Sequence, residues 1–159
     1  MNLVRAVQVL VDAQVDFVII GGWSAILHGS AQLTRDLDIC FSRARDNLKR
    51  IAAALAPYHP QLRDLPPDLP FVWDESTLRN GTIFTLVTDL GIIDLLAEVS
   101  GVGDYKDALR DSVVVQSFDR EVRTLDLRAL IRAKRAAGRP KDLAILPELE
   151  SLLEASDRE

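Results

Sequence analysis

The spacing of apolar positions divides the chain into short segments of two kinds. Leu3, Val7, Leu10 and Val11 recur at helical spacing with Arg5, Gln8 and Asp12 between them, which predicts an amphipathic helix over residues 2–15. Phe17 to Ile20 is short, apolar and largely β-branched, the pattern of a buried strand. Gly21-Gly22 breaks it, and Trp23 to His28 reads as a short helix ending at Gly29. The period then changes to two. Leu37, Ile39 and Phe41 alternate with Asp36, Asp38 and Cys40, so this strand has one apolar face and one that carries both aspartates. Leu48, Ile51, Ala52 and Leu55 restore the helical period over 46–56.

Five of the seven prolines fall between Pro57 and Pro70, which predicts a loop or lid without regular structure. Beyond it, residues 82–88 (TIFTLVT) and 92–99 (IIDLLAEV) are two apolar runs about a DLG turn, the pattern of a β-hairpin. Residues 112–118 and 121–126 suggest a second hairpin about Asp119-Arg120. A closing pair of helices is expected over 126–156, with Asp126 as the first cap, Gly138 as the stop and Pro140 opening the last helix. Strands alternating with helices, plus hairpins, predict a mixed α/β (α+β) fold. Its core would be a twisted sheet of four to six strands with flanking helices, formed by one domain over 1–159.

Composition narrows the class without changing this picture. With 48% hydrophobic and 27% charged residues the chain is of ordinary globular make-up. No apolar run approaches the ~20 residues of a membrane span, and the first residues lack a signal-peptide cleavage pattern, so the expected compartment is the cytoplasm. Cys40 is the only cysteine, which excludes an intrachain disulfide and a cysteine-rich zinc site. A net charge of −5 gives no global attraction for nucleic acid, so such binding would need a local basic surface.

The candidate chemistry lies in three carboxylates. Asp36 and Asp38 project from one strand face ~7 Å apart and repel one another unless a cation or solvent relieves them. Asp94 interrupts Ile92-Ile93 and Leu95-Leu96, a context expected to be buried on both sides, where an unpaired carboxylate costs several kcal/mol. If the two strands are neighbours, the three groups converge on one all-oxygen site suited to Mg²⁺ or Mn²⁺. Gly21 and Gly22 would let the backbone approach a ligand closely, and the helix behind them would aim N–H groups at a phosphate, with Ser24 adding a hydroxyl. Carboxylates that hold a metal beside a phosphate cradle are the equipment of phosphoryl or nucleotidyl transfer.

Gly21-Gly22, then Asp36-Leu37-Asp38-Ile39 after thirteen residues, and a later Asp94 in an apolar strand together resemble the nucleotidyltransferase superfamily of polymerase-beta-like fold. The GGWSAILHG segment, Thr34, the hairpin ending in IIDLL and the closing Gly138-Arg139-Pro140-Lys141-Asp142-Leu143 are similar to the small bacterial abortive-infection and toxin-type members. This resemblance implies a metal-dependent enzyme that moves a nucleoside monophosphate from a nucleoside triphosphate to a hydroxyl of tRNA or protein, as the toxin of a toxin–antitoxin pair. It implies Asp36, Asp38 and Asp94 as metal-binding and catalytic residues, and Gly21, Gly22, Ser24, Arg35 and Lys141 around the triphosphate. Glycine stands at 22 where the superfamily commonly has serine, and Gln32 where relatives carry a basic residue, leaving Ser24 and Arg35 as the nearest hydroxyl and cation.

Competing readings of the same residues are plain ones. Asp36 and Asp38 would be solvated if their strand lay at a sheet edge, and Asp94 would be neutralised by a core arginine. His28 would be a helix-end cap, and Trp73 and Phe71 would pack in the core or stack on a base. Arg128, Arg132 and Arg135 share a helix face, with Lys134, Arg139 and Lys141 nearby, that is either solvated and balanced by acids or a basic wall for triphosphate or an RNA end. For the chain as a whole, the rival to catalysis is a pocket that binds nucleotide or a partner protein without chemistry.

Overall fold

A computed structural model describes residues 2–66 and 68–158. Helix α1 (Leu3–Asp12) leads into strand β1 (Phe17–Ile20), which passes directly into helix α2 (Gly21–Leu27). Strand β2 (Asp36–Phe41) and helix α3 (Arg45–Leu55) follow. The proline-rich segment contains a 3₁₀ turn (Ala56–Tyr58) and a two-residue strand β3 (Gln61–Leu62), and helix α4 (Glu75–Arg79) comes after it. Strands β4 (Ile83–Thr88) and β5 (Gly91–Leu96) form the first predicted hairpin. Short strands β6 (Glu98–Val99) and β7 (Gly103–Asp104) then pair with each other and lead into helix α5 (Tyr105–Arg110). The second hairpin is β8 (Ser112–Ser117) and β9 (Arg120–Leu125), and helices α6 (Leu127–Ala137) and α7 (Pro140–Asp157) close the chain.

The main sheet has seven strands in the order β3-β4-β5-β2-β1-β9-β8, not four to six. The additional strand is β3, inside the segment expected to lack regular structure. Gln61 and Leu62 pair with Val87 and Leu86 at the sheet edge, and Pro60 and Pro66 flank the pair, so no proline N–H is needed in the ladder. Arg63 N–H extends the contact to the Thr85 carbonyl at 2.9 Å. The expected long strand over 92–99 ends at Leu96, and Glu98 and Val99 turn away to pair with Asp104 and Gly103.

Strand alternation sorts the apolar residues into two layers. Phe17, Ile19, Leu37, Ile39, Phe41, Ile93 and Leu95 pack against α1 and α3. Val18, Ile20 and Cys40 face the opposite layer of α2, α5, α6 and α7. Asp36 and Asp38 share the side of Cys40, and Asp94 lies opposite the buried Ile93 and Leu95. All three acids therefore point to the layer containing α2, α6 and α7. Burial pushes the Cys40 thiol up to about 12, which fits a structural strand residue.

The β8–β9 turn has Phe118 and Asp119 both at positive φ (58° and 55°), the geometry of a type I′ turn. The Phe118 ring meets Trp23 of α2 edge to face with centroids 5.4 Å apart, and its carbonyl accepts from Gln8 Nε2. At the opposite end of β1, fully buried Asn47 ties three elements together. Its Oδ1 accepts from Asp16 N–H, and its Nδ2 donates to the carbonyls of Asp16 (3.1 Å) and Ser42 (2.8 Å). Replacing it would leave the Asp16 N–H and the Ser42 carbonyl without these partners, while the Asp16 carbonyl keeps the Ser42 N–H at 3.2 Å. Asn47→Ala is expected to lower unfolding free energy by about 2–4 kcal/mol in urea titration.

Candidate active site

β2 pairs with β5 in parallel register, Asp36 opposite Ile92 and Asp38 opposite Asp94. On its other side β2 pairs with β1, Ile20 opposite Asp38. β2 is thus central, which removes the reading of Asp36 and Asp38 as solvated edge residues. Adjacent strands lie ~4.8 Å apart, so the side chains of Asp38 and Asp94 are immediate neighbours. Asp94 is half-buried on an alternating strand, not buried on both sides as its apolar neighbours suggested. Among the described residues no ion pair neutralises Asp36, Asp38 or Asp94, so a core arginine is not the explanation for Asp94.

The electrostatics of Asp38 follow from this. Burial, then a hydrogen bond to Asp94 and the charges of Asp94 and Asp36, push its carboxyl up to about 8, against an opposing pull from Lys134. One of its oxygens, Oδ1, is enclosed and has no hydrogen-bond partner among the described residues. Its Oδ2 occupies the space that a side chain at position 21 would fill: a Cβ on Gly21, where φ is +65°, would lie 2.3 Å from it. The expectation that all three carboxylates converge on one point is only partly met. Among the described residues no three-carboxylate cluster forms; Asp38 and Asp94 are in hydrogen-bonding reach, and Asp36 acts on Asp38 through its charge. Three like charges without a cation between them have no reason to close up. The donor set still suits a hard divalent cation, since it is all oxygen and includes an enclosed carboxylate oxygen that no described residue satisfies.

A cleft of about 550 Å³ opens above these acids. Asp36, Asp38, Gly22 and Thr34 lie on its floor side, Ile92 and Ile145 contribute apolar surface, and five basic side chains line it: Arg35, Arg63, Lys134, Arg139 and Lys141. Arg63 comes from the proline-rich segment, held over the cleft by the β3–β4 pairing. Lys134 and Arg139 are fixed by Asp142, whose side chain is 1% exposed. Asp142 accepts from Arg139 Nε (2.7 Å), Arg139 Nη2 (3.3 Å), Lys134 Nζ (3.4 Å) and the Arg139 backbone N–H (3.2 Å). Burial alone would raise its carboxyl, but Arg139 and Lys134 outweigh that and hold it below the ordinary value.

Of the residues singled out in the sequence, Gly22, Arg35, Asp36, Asp38 and Lys141 line the cleft. Gly21 touches Asp38, and Asp94 lies across from it. Ser24 is not brought there. It is fully buried on the inner side of α2, bonded to Thr124 Oγ1 at 2.6 Å, because position 24 falls on the face of the helix turned towards β9. The hydroxyl at the cleft belongs to Thr34. The arginine stripe of α6 is a balanced solvated face: Arg128 pairs with Asp157 (2.9 Å), Arg132 with Asp111 (2.8 Å) and Arg135 with Glu150. His28 bonds the Leu125 carbonyl at 2.7 Å beside the end of α2, and Trp73 donates to the Ala52 carbonyl in the core. Lys134, Arg139 and Lys141, grouped in the sequence with the arginines of α6 as a basic wall, line the cleft while those arginines do not, and Arg63, a lone cation in the proline-rich loop, is the cation there that spacing did not single out.

No family model matches the chain, and no curated protein matches it. Solved structures do. The lincosamide antibiotic adenylyltransferase LnuA, with lincomycin bound, is 15% identical, with a TM-score of 0.62 over 94% of this chain and 95% of that one. TM1012 from Thermotoga maritima, named as a candidate nucleotidyltransferase, is also 15% identical, with a TM-score of 0.52 over 100% of this chain and 97% of that one. The chain therefore has a nucleotidyltransferase-like fold. No described helix is long and apolar enough to cross a membrane.

A carboxyl with a higher pKa folded than unfolded binds more protons in the native state between the two values. Asp38 thus favours the fold fully below its unfolded value near 3.8, and that contribution fades as pH rises towards 8. Without added metal, wild type is expected to lose stability relative to Asp38→Asn between pH 5 and pH 9. Urea midpoints of the two proteins across that range check this.

Proposed function

We propose that this chain is a divalent-metal-dependent nucleotidyltransferase that moves a nucleoside monophosphate from a nucleoside triphosphate to a hydroxyl acceptor. The observation that carries the reading is Asp38, in register with Asp94 on the neighbouring strand, lining a cleft together with Asp36 and five cations. In this reading Asp36, Asp38 and Asp94 hold Mg²⁺ or Mn²⁺, which when bound supplies charge neutralisation at the reacting phosphate. Lys134, Arg139, Lys141, Arg63 and Arg35 bind the triphosphate, while Gly21 makes room for the Asp38 carboxylate and Gly22 for Thr34. The acceptor oxygen forms a bond to the α-phosphorus, and the bond from that phosphorus to the pyrophosphate oxygen breaks. The hydroxyl proton passes to the Asp94 carboxylate, and pyrophosphate leaves against the cations. The sequence resemblance supports a tRNA or protein acceptor and a toxin role with a protein antitoxin, and the lack of a membrane-length apolar run or signal-peptide pattern supports a cytoplasmic site of action.

The test incubates the protein with Mg²⁺ or Mn²⁺, each labelled nucleoside triphosphate, total tRNA and cell extract. Label transfer is expected, falling by at least about 10²-fold in Asp36→Ala and Asp94→Ala. Nucleotide binding that is indifferent to metal, with no transfer from any nucleotide, would leave a binding module in its place. Manganese titration adds a separate readout: Asp38→Asn is expected to bind Mn²⁺ at least about tenfold more weakly than wild type.

A further inference from the structure

We infer that a second cavity, meeting the cationic cleft at Asp38, Lys134 and Arg139, is the acceptor pocket, and that it takes a compact, uncharged, hydroxyl-bearing small molecule with an apolar body. This rests on the nucleotidyltransferase reading above. The cavity measures about 270 Å³, half the cleft, and lies between the ends of β1 and β5, the turn after β6, and α6. Its walls are Ile20, Leu96, Val99, Leu130 and Ala133, three of them buried core residues. Such a wall suits the carbon face of a ring, and a space of this size holds one or two rings.

The charges of this cavity disfavour an anionic ligand. Lys134 and Arg139 stand where it joins the cleft, held by Asp142 and, in the reading above, given to the triphosphate, and the rest of its lining carries no cation. The remaining carboxylate is Asp38, whose Oδ1 has no hydrogen-bond partner among the described residues. With that carboxylate given to the cation in the reading above, an uncharged hydroxyl is the group that can enter beside it without bringing in a further buried charge. The pocket is also preformed. Arg132 Nε donates to the Gly101 carbonyl at 3.2 Å, which docks the turn between β6 and β7 onto α6, and a Cβ at Gly101 would collide with the Arg132 carbonyl. Because the two cavities meet at Asp38, an acceptor oxygen in one and an α-phosphate in the other are adjacent. Its bond to phosphorus and the departure of pyrophosphate then follow as written above.

The test fills the cavity and leaves the cleft alone. Ala137→Trp lies at an exposed position on its rim, and Ala133→Leu thickens its wall. Binding of a non-hydrolysable ATP analogue with Mg²⁺ is expected to stay within about twofold of wild type in both variants. Thermal stabilisation by a panel of cyclic alcohols, glycosides and nucleosides is expected to identify compounds that stabilise wild type and bind each variant at least about tenfold more weakly. Nucleotide binding weakened as strongly by both variants would place the nucleobase in this cavity and overturn the assignment. A panel that never distinguishes wild type from the variants, or label transfer to tRNA that both variants leave unchanged, would also overturn it. Compound binding in the cavity without label transfer to any acceptor would sink the catalytic reading and, with it, the acceptor role, leaving a small-molecule binding site.

Discussion

The register between β2 and β5 is the constraint on which the site depends, because it forces two carboxylates side by side. Leu37, Ile39, Ile93 and Leu95 are fully buried on the far face of the same two strands. Sliding one strand by a residue would exchange these for the acids. Burying the four side chains contributes on the order of 6–12 kcal/mol. Two charges about 5 Å apart near a protein surface repel by about 3 kcal/mol at an effective dielectric of 20. The core wins, so the repulsion is retained and relieved locally, by a proton on Asp38 when no cation is present.

The same electrostatic demand explains how a chain of net charge −5 presents a cationic cleft. Most arginines are committed to surface acids, such as Arg120 to Asp12 at 2.7 Å and Arg132 to Asp111 at 2.8 Å. Exposed pairs of this sort contribute about 0–1 kcal/mol each and leave little field at a distance. Asp142 behaves differently. It is buried, and with four donors on it Lys134 and Arg139 are held in place. Its position at the first turn of α7, beside Pro140, couples that arrangement to the start of the helix.

The architecture was readable in the sequence wherever one face of a segment met the core. The period-2 run at 36–41, both hairpins and the closing helices follow from burial on a single side, and the helix-end role of His28 follows from its place before Gly29. What spacing did not convey depends on contacts distant in sequence. The strand at Gln61–Leu62 exists because β4 offers an edge, and α4 and α5 are short helices set by caps, Asp74 for one and the reciprocal Asp104 and Asp107 pair for the other. Asp94 read as more buried than it is, because Ile92 and Leu96 face the cleft side and are themselves half-covered. Ser24 and Gly22 are two residues apart on a helix, so they face different ways; the chain order that made Ser24 look like a substitute is what turns it inwards.

The glycine at 22 has its own explanation in the opposing segment. A Cβ there would lie 2.8 Å from Thr34 Oγ1 and 2.9 Å from Thr34 Cβ, closer than real contacts allow. The Thr34 hydroxyl donates to the Asp36 carbonyl at 3.2 Å, which holds the side chain in that space at the entrance to β2. Thr34 therefore stands where a serine at 22 would begin, and the two positions are complementary: a side chain at one requires its absence at the other. The glycine pair serves two neighbours, Gly21 making room for the Asp38 carboxylate and Gly22 for the Thr34 hydroxyl. A hydroxyl still lines the cleft beside Asp36, supplied by the residue leading into β2 instead of the helix that follows β1.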